Sequence, residues 1–250
     1  MWHTVAYAKS LANGLTDTNL AALAENALII GTQNGFRLLE NMFLATAFSL
    51  PNNGTGFRLT SPKFAQFSKI EVLPVGPGPK ETDGLLISSW PYRSPTFRPQ
   101  EEVVASCDTG GTAAAVETLV VSLATQIDAP PAGEELTVKF TSATAAVANS
   151  WTLLGAPTLA IVLPEGAYAL IASVLQSANA QAHRYIFSGQ FYRPGFPSTT
   201  ALTNHQWPGV SDYRQGAAGV FSNVTLPQIE VLANGPDSSH VGFMRVIKVA

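Results

Sequence analysis

Charged side chains are scarce in this sequence. Of its 250 residues, 12% are Asp, Glu, Lys or Arg, against about 25% in ordinary soluble proteins. From Phe140 to His183 the only acidic or basic residue, with histidine counted as neutral, is Glu165. Because a monomer usually needs ~25–35% charged residues on its surface to stay dispersed, this composition favours a protein whose outer faces are covered by neighbouring subunits.

Cysteine and long apolar runs are also missing. The single Cys107 excludes an intrachain disulfide framework and a cysteine-rich metal site. The apolar stretch at 153–175 is interrupted by Pro157, Pro164 and Gly166, so it lacks the ~20 unbroken apolar residues of a membrane-spanning helix. We also expect no secretion signal, since the first residues lack a basic start and a long apolar run.

Basic residues form no cluster. The 14 Lys and Arg residues are scattered, and Lys9 is the only one among the first 36 residues. A polybasic arm that would release counterions from phosphates is therefore absent. We expect no direct, sequence-specific nucleic-acid binding.

The chain does contain many short segments rich in β-branched and aromatic residues. They follow one another at roughly 8–12-residue spacing, a pattern typical of an all-β sandwich or barrel. Asn-Gly pairs, the strongest short hairpin signal, separate several of them; these pairs stand at 13–14, 34–35, 53–54 and 234–235. We therefore predict an all-β fold built on an antiparallel β-sandwich.

Three segments predict particular strands. In "LTVKFTS", Leu136, Val138 and Phe140 alternate with polar residues, which predicts a strand with one buried face. "VGFMRVIKV" at 241–249 is apolar on nearly both faces, which predicts a central or covered strand. "LAIVLPEGAYALIASV" at 159–174 predicts two apolar strands joined by a turn at its Pro-Glu-Gly.

Two segments predict short helices. The first is "TDTNLAALAENALII" at 16–30, where Asp17 is placed to cap a turn bearing spaced apolar residues. The second and weaker one is "VLQSANAQA" at 174–182. The predicted fold is thus a β-sandwich with a short N-terminal helix.

One tetrapeptide occurs twice. Ile-Glu-Val-Leu stands at 70–73 and at 229–232, and each copy is followed within four residues by Gly-Pro. This repetition has three alternative explanations: duplication, a shared strand-and-turn chemistry, or chance. We accordingly keep two domain organisations: a single compact β-rich unit over 1–250, or an N-terminal segment 1–30 followed by β-sandwiches at 31–128 and 129–250.

The best enzymatic match is Asp108-Thr109-Gly110, which follows an apolar strand. It resembles the Asp-Thr-Gly of aspartic proteases, in which two such carboxylates share a proton. This chain has one copy, so a retroviral-like homodimer would be needed, and Gly111 follows where the family usually has Ala or Ser. A turn between two strands is the alternative interpretation.

Other catalytic or metal-binding patterns are missing. His3, His183, His205 and His240 form no pair at metal-ligand spacing, and Glu101-Glu102 and Glu134-Glu135 look like solvated strand starts. No phosphate loop, dinucleotide fingerprint or Gly-x-Ser-x-Gly is present. We predict no catalytic, cofactor-binding or metal-binding residues, no cofactor, and no enzymatic activity.

The stretch at 189–216 is long, irregular and rich in aromatic residues. Its aromatic and arginine content is typical of an interface core, and a loop folded over one end of the sandwich is the alternative. The same aromatics would serve as a ligand platform in a carbohydrate- or receptor-binding module. The residues concerned are Phe191, Tyr192, Arg193, Phe196, Trp207, Tyr213 and Arg214.

The run of short strands, the neutral Ala/Thr/Ser-rich composition, the stretch at 163–198 and the final strand together resemble jelly-roll capsid proteins of viruses, in particular bacteriophages. The resemblance covers about residues 55–250. It implies an eight-stranded jelly roll, single or as a compact double roll, and self-assembly as trimers or pentamers into an icosahedral shell. It further implies residence in the virion after assembly in the host cytoplasm, with other capsid proteins as partners. Since no basic arm is present, genome condensation would fall to other components, such as an internal membrane or a packaging machine.

Overall fold

The chain is all-β throughout the part that its computed structural model describes, which is residues 2–23, 29–31, 35–49, 53–62, 70–73, 86–89, 95–110, 114–126, 129, 131–199 and 216–250. These residues form 21 strands in three sheets and no helix, and therefore no helix long and apolar enough to cross a membrane. The strands are β1 (Trp2–Leu11), β2 (Thr18–Asn19), β3 (Ala21–Ala22), β4 (Ile29–Gly31), β5 (Gly35–Leu38), β6 (Met42–Ser49), β7 (Gly54–Thr60), β8 (Ile70–Leu73), β9 (Leu86–Ser89), β10 (Thr96–Phe97), β11 (Glu102–Thr109), β12 (Ala115–Ala124), β13 (Glu135–Ser142), β14 (Trp151–Gly155), β15 (Thr158–Leu159), β16 (Ala167–Gln176), β17 (Ala180–Ile186), β18 (Gly195–Thr199), β19 (Gly219–Ser222), β20 (Gln228–Ala233) and β21 (His240–Lys248).

The strands are divided between two compact units. The N-terminal unit consists of Val5–Thr125, and the C-terminal unit consists of Gln126–Ala250 together with Met1–Thr4. Strand β1 therefore contributes its first residues to the C-terminal unit and the rest to the N-terminal unit. The domain boundaries drawn from the sequence stay predictions.

The N-terminal unit contains two six-stranded sheets. One has the order β10-β6-β12-β1-β3 with β9 beside β6, and the other has the order β4-β5-β11-β7-β8 with β2 beside β11. Tyr7 of the first sheet donates a hydrogen bond of 2.8 Å to the carbonyl of Val103 in the second. Its ring also lies edge-on against Phe36, with 4.9 Å between the centroids. Side chains of the two sheets thus meet in a shared core.

The C-terminal unit contains one nine-stranded sheet, in the order β14-β20-β17-β18-β16-β21-β13-β15 with β19 beside β16. Strand β21 pairs along its length with both β13 and β16, which confirms the predicted central strand. In β13, Val138 and Phe140 are buried while Thr137, Lys139 and Thr141 are exposed, which confirms the predicted alternation. The segment from Leu175 to Thr199 includes the parallel pairing of β16 with β18.

The predicted N-terminal helix is wrong wherever the structure describes its residues. Thr18–Asn19 pairs with β11 and Ala21–Ala22 pairs with β1, while residues 24–28 lie outside the described ranges. Asp17 is no helix cap, because its φ is 50° and its carboxylate accepts a hydrogen bond from Ser106. Pairing with two sheets has overridden a weak helix propensity, as tertiary context commonly does.

The second predicted helix and one predicted strand are also wrong. Residues 174–182 belong to the end of β16, a turn and the start of β17, because their apolar side chains are buried in the sheet. The residues before Pro164 pair with β13 at Thr158–Leu159, and the Ala160 amide also donates to the Lys139 carbonyl at 2.9 Å. Beyond that point Ile161 is 52% and Val162 is 94% exposed, since an apolar composition alone does not distinguish a core strand from an exposed loop.

Both copies of Ile-Glu-Val-Leu are strands, and they share more than their sequence. Glu71 on β8 lies directly opposite Arg58 on β7, and Glu230 on β20 lies directly opposite Arg184 on β17. Each glutamate forms an ion pair with the arginine that faces it. The shared strand chemistry is therefore a cross-strand Arg–Glu pair, placed in an edge strand of one unit and inside the sheet of the other.

Candidate functional site

The C-terminal unit contains a fully buried hydrogen-bond network around His183. Its Nε2 lies 2.7 Å from Ser173 Oγ, and its Nδ1 lies 3.1 Å from Ser198 Oγ. The hydroxyl of Tyr185 also lies 2.7 Å from Ser173 Oγ. The ring of Phe196 stacks on the imidazole with 5.8 Å between the centroids. All five side chains are completely buried.

The surroundings of His183 keep its imidazole neutral. Burial lowers the pKa of His183 to about 3 and raises the pKa of Tyr185 above its usual value. A serine hydroxyl beside a histidine is also the arrangement of an activated nucleophile. Here, however, Ser173 has no exposed surface, and its hydroxyl also donates to the carbonyl of Phe243 at 3.1 Å. The network therefore ties β16, β17, β18 and β21 together.

A second network surrounds Arg184, which is almost completely buried. Its Nε donates to Glu230 Oε2 at 2.6 Å, and its Nη1 donates to the carbonyl of Thr4 at 2.9 Å. Its guanidinium carbon also lies 4.0 Å from the centroid of the Trp151 ring, a cation–π contact. Arg193 supplies a second cation to Glu230, with its Nη1 3.1 Å from both carboxylate oxygens.

The first residues of β1 are held by this same part of the sheet. The Thr4 amide donates to the Arg193 carbonyl at 2.9 Å, and the Gly195 amide donates to Thr4 Oγ1 at 2.7 Å. The Arg193 amide donates to Nδ1 of His3 at 3.2 Å. His3 and Thr4 are both fully buried, so the start of β1 is an enclosed part of the C-terminal unit.

Asp108, the residue of the protease-like motif, is engaged in structural contacts. Its Oδ2 accepts from Arg58 Nη2 at 2.5 Å, and its Oδ1 accepts from the Asp17 amide at 2.6 Å. The hydrogen bond that Arg58 donates to Asp108 is the largest cause of a raised pKa at Arg58. Thr109 donates to the carbonyl of Ala12 at 2.7 Å. The motif thus anchors the loop between β1 and β2, and Gly111 lies outside the described residues.

The other residues singled out in the sequence are dispersed. Within the described ranges, no three His, Cys, Asp or Glu side chains are grouped to hold a metal ion. Cys107 is buried, and burial raises the pKa of its thiol. His240 is buried with its Nε2 3.0 Å from the Thr144 carbonyl, and His205 lies outside the described residues.

The four glutamates expected to be solvated do not behave alike. Glu134 and Glu135 are exposed, and Glu102 is half-buried. Glu101 is buried, contrary to the expectation from sequence. Its carboxylate accepts from Ser61 Oγ at 2.6 Å and from the Arg98 amide at 2.8 Å, and neither contact has a sequence signal.

The aromatic stretch at 189–216 is described only up to Thr199. Phe196 is fully buried in the His183 network, so this part of the stretch is a core strand. Phe191 is 68% exposed and Tyr192 is half-buried. Trp207, Tyr213 and Arg214 lie outside the described residues.

A shallow groove of about 290 Å³ lies on the C-terminal unit beside β19. Its lining is uncharged and mostly apolar; it comprises Ala167, Ser188, Val220, Phe221, Ser222, Thr225 and Pro227. Sequence reasoning missed this groove, because strands and turns distant in the chain converge to form it.

Comparisons with known proteins return little. No protein-family model and no curated protein matches the sequence. Among solved structures, the major capsid protein P2 from bacteriophage PM2 is similar with a TM-score of 0.26 and 7% identity, over 100% of this chain and 98% of that chain. This TM-score is too low to establish a common fold.

Proposed function

We propose that this protein is a structural subunit that assembles with copies of itself into a virus shell. The observation that carries the proposal is the exposed apolar surface of the C-terminal unit. Of nine large apolar side chains exposed among the described residues, eight belong to that unit. They are Val147, Leu153, Ile161, Val162, Phe191, Val220, Val224 and Val249.

The charge distribution supports the same proposal. The chain is poor in charge, and several of its charged side chains form ion pairs within a unit, such as Arg184 with Glu230 and Arg58 with Asp108. Low charge limits the repulsion that accumulates when many identical subunits pack together, and exposed apolar surface is buried when they do.

In this proposal the two all-β units are jelly rolls or variants of them, so that the chain is a double jelly roll. Copies associate as trimers or pentamers in the virion, beside other capsid proteins, and an internal membrane beneath the shell is compatible with the missing basic arm. The protein has a mechanical role and no catalytic one. The hydrogen-bonded networks at His183 and Arg184 stabilise the C-terminal unit of each subunit in the shell.

Electron microscopy and mass photometry of the native protein test this proposal. Shells, or discrete trimers or pentamers that build into them, are the expected result. A protein that stays monomeric at the highest attainable concentration would contradict it. High salt should have little effect on assembly, because the proposed contacts are apolar rather than ionic.

A carbohydrate- or receptor-binding module is a second candidate, favoured by the exposed ring of Phe191. Aromatic faces are common platforms for ligands. Specific glycan binding on an array, lost in Phe191→Ala and kept in Val147→Ala, would favour this candidate over a shell protein.

A further inference from the structure

Phe191 is displayed on a segment that is firmly held. Its ring is 68% exposed, while the backbone on both sides is bonded. The Gln190 amide donates to the Phe187 carbonyl at 3.2 Å, and the Arg193 carbonyl accepts from Thr4 at 2.9 Å. An aromatic side chain on a rigid segment loses little conformational entropy on binding, and such residues are the usual anchors of protein interfaces.

The groove beside β19 has the size and chemistry to receive such a ring. Its volume of about 290 Å³ exceeds that of the apolar cavity of about 150 Å³ that is known to bind benzene. Val220, Phe221 and Pro227 give it an apolar wall, and no charged residue lines it. Val220 itself is 49% exposed, so the groove adjoins apolar surface that gains from being covered.

One residue of the groove is close to the projecting ring in the chain. Ser188, which lines the groove, is three residues from Phe191. When a protruding side chain and a complementary recess are neighbours on one surface, a twofold axis between them lets two copies exchange both contacts at once. An uncharged groove offers nothing specific to an acidic or basic partner, whereas a second copy brings the ring itself.

We propose that Phe191 of one copy inserts into the groove formed by Val220, Phe221 and Pro227 of a second copy, and that the second copy returns the same contact. This pairing rests on the self-assembly proposed above and names one of its interfaces. It makes the C-terminal unit the source of the twofold contact in the assembly.

Disulfide trapping between two single variants tests the pairing. Phe191→Cys and Thr225→Cys proteins are prepared separately and mixed under mild oxidation; buried Cys107 does not compete. A disulfide-linked dimer containing one chain of each kind is expected. The control is a mixture of Phe191→Cys with Val147→Cys. Residue 147 is exposed but lies outside the groove, so this mixture should give at least about tenfold less disulfide-linked dimer. Equal yields in the two mixtures would overturn the pairing.

A size measurement separates this inference from the proposed function. Phe191→Ser should weaken self-association by at least about tenfold, while Thr137→Ser, at an exposed polar position of β13, should leave it unchanged. Circular dichroism should show both variants folded, since both side chains are exposed. If Phe191→Ser assembles as well as the wild type, the pairing alone is overturned. Wild-type protein that never assembles overturns the shell function itself.

Discussion

Arg184 and Glu230 face each other on adjacent antiparallel strands, 2.6 Å apart at Nε and Oε2, in a site where the arginine side chain is 1% exposed. Arg58 and Glu71 face each other in the same way in the other unit, but there the glutamate side chain is 49% exposed. The chain thus holds one cross-strand pair in two environments. Because a buried charge without a partner is far more costly than an exposed one, the two pairs should differ in energy.

Neutralising each glutamate measures that difference. Glu230→Gln should lower the free energy of unfolding by roughly 3–5 kcal/mol, because Arg184 would remain buried without a carboxylate. Glu71→Gln, the matched control in the other Ile-Glu-Val-Leu, should cost about 0–1 kcal/mol. Urea denaturation of both variants gives the comparison, and similar losses would show that burial does not set the energy of these pairs.

His183 should make the C-terminal unit sensitive to acid. Its pKa is about 3 in the folded state and 6.5 when exposed, so between these values the unfolded chain binds the extra proton. Stability contributed by neutral His183 is therefore complete above pH 6.5 and is lost as pH falls toward 3, by up to about 1.4 kcal/mol per pH unit. Its hydrogen-bond partners, Ser173 and Ser198, and the adjacent Tyr185 and Phe196 supply no negative charge to offset the proton.

The variant His183→Gln isolates this contribution, because it cannot titrate. Chemical denaturation between pH 6.5 and 5 should show a clearly smaller loss of stability with acid in the variant than in the wild type. The slope, and not the absolute stability, is the readout, so a general weakening by the substitution does not affect the conclusion. Identical slopes would mean that His183 does not carry the acid response.

Gly242 should not tolerate a methyl group. A Cβ there would lie 2.1 Å from Cζ of Phe140, which faces it on the neighbouring strand. Gly242→Ala should cost about 1–3 kcal/mol through overpacking, and adding Phe140→Leu should recover part of the loss. At Gly56 a Cβ would meet only atoms 3.6 Å away or more, so Gly56→Ala should be close to neutral. Thermal unfolding of the three variants tests this, and a neutral Gly242→Ala would refute the close packing of the Phe140 ring.

Thr4 should stabilise the C-terminal unit although it lies at the opposite end of the chain. Thr4→Val keeps the side-chain shape but removes the acceptor of the Gly195 amide, and a buried unpaired donor costs about 1–3 kcal/mol. The Gly195 amide should also exchange faster with solvent. Thr137→Val, at an exposed position of β13, is the control. Unchanged exchange at Gly195 would argue against the contact.

Asp108 should matter for stability and not for catalysis. Asp108→Asn removes the ion pair with Arg58 while keeping an oxygen for the Asp17 amide, so a loss of about 1–2 kcal/mol is expected. Neither the wild type nor the variant should cleave peptides. Wild-type cleavage that disappears in Asp108→Asn would restore the aspartic-protease interpretation.

Local patterns were sufficient to predict some of the strands. The alternation in "LTVKFTS" and the two-sided apolar pattern of "VGFMRVIKV" predicted β13 and β21, because a strand's side-chain period can be read from consecutive residues. The same reasoning failed at 16–23 and at 160–163. In both segments, pairing or exposure depends on strands that are distant in sequence.

Composition and short-range periodicity were enough to predict a β-rich chain that is poor in charge, because neither depends on a contact partner. Which polar residues are enclosed follows from the fold alone, as with His183 between Ser173 and Ser198, and Thr4 against Gly195. The fold also decided that one Ile-Glu-Val-Leu is an edge strand and the other an inner one. The physical reason is that burial and hydrogen-bond partners are set by strand order, and the strands concerned lie up to 191 residues apart in the chain.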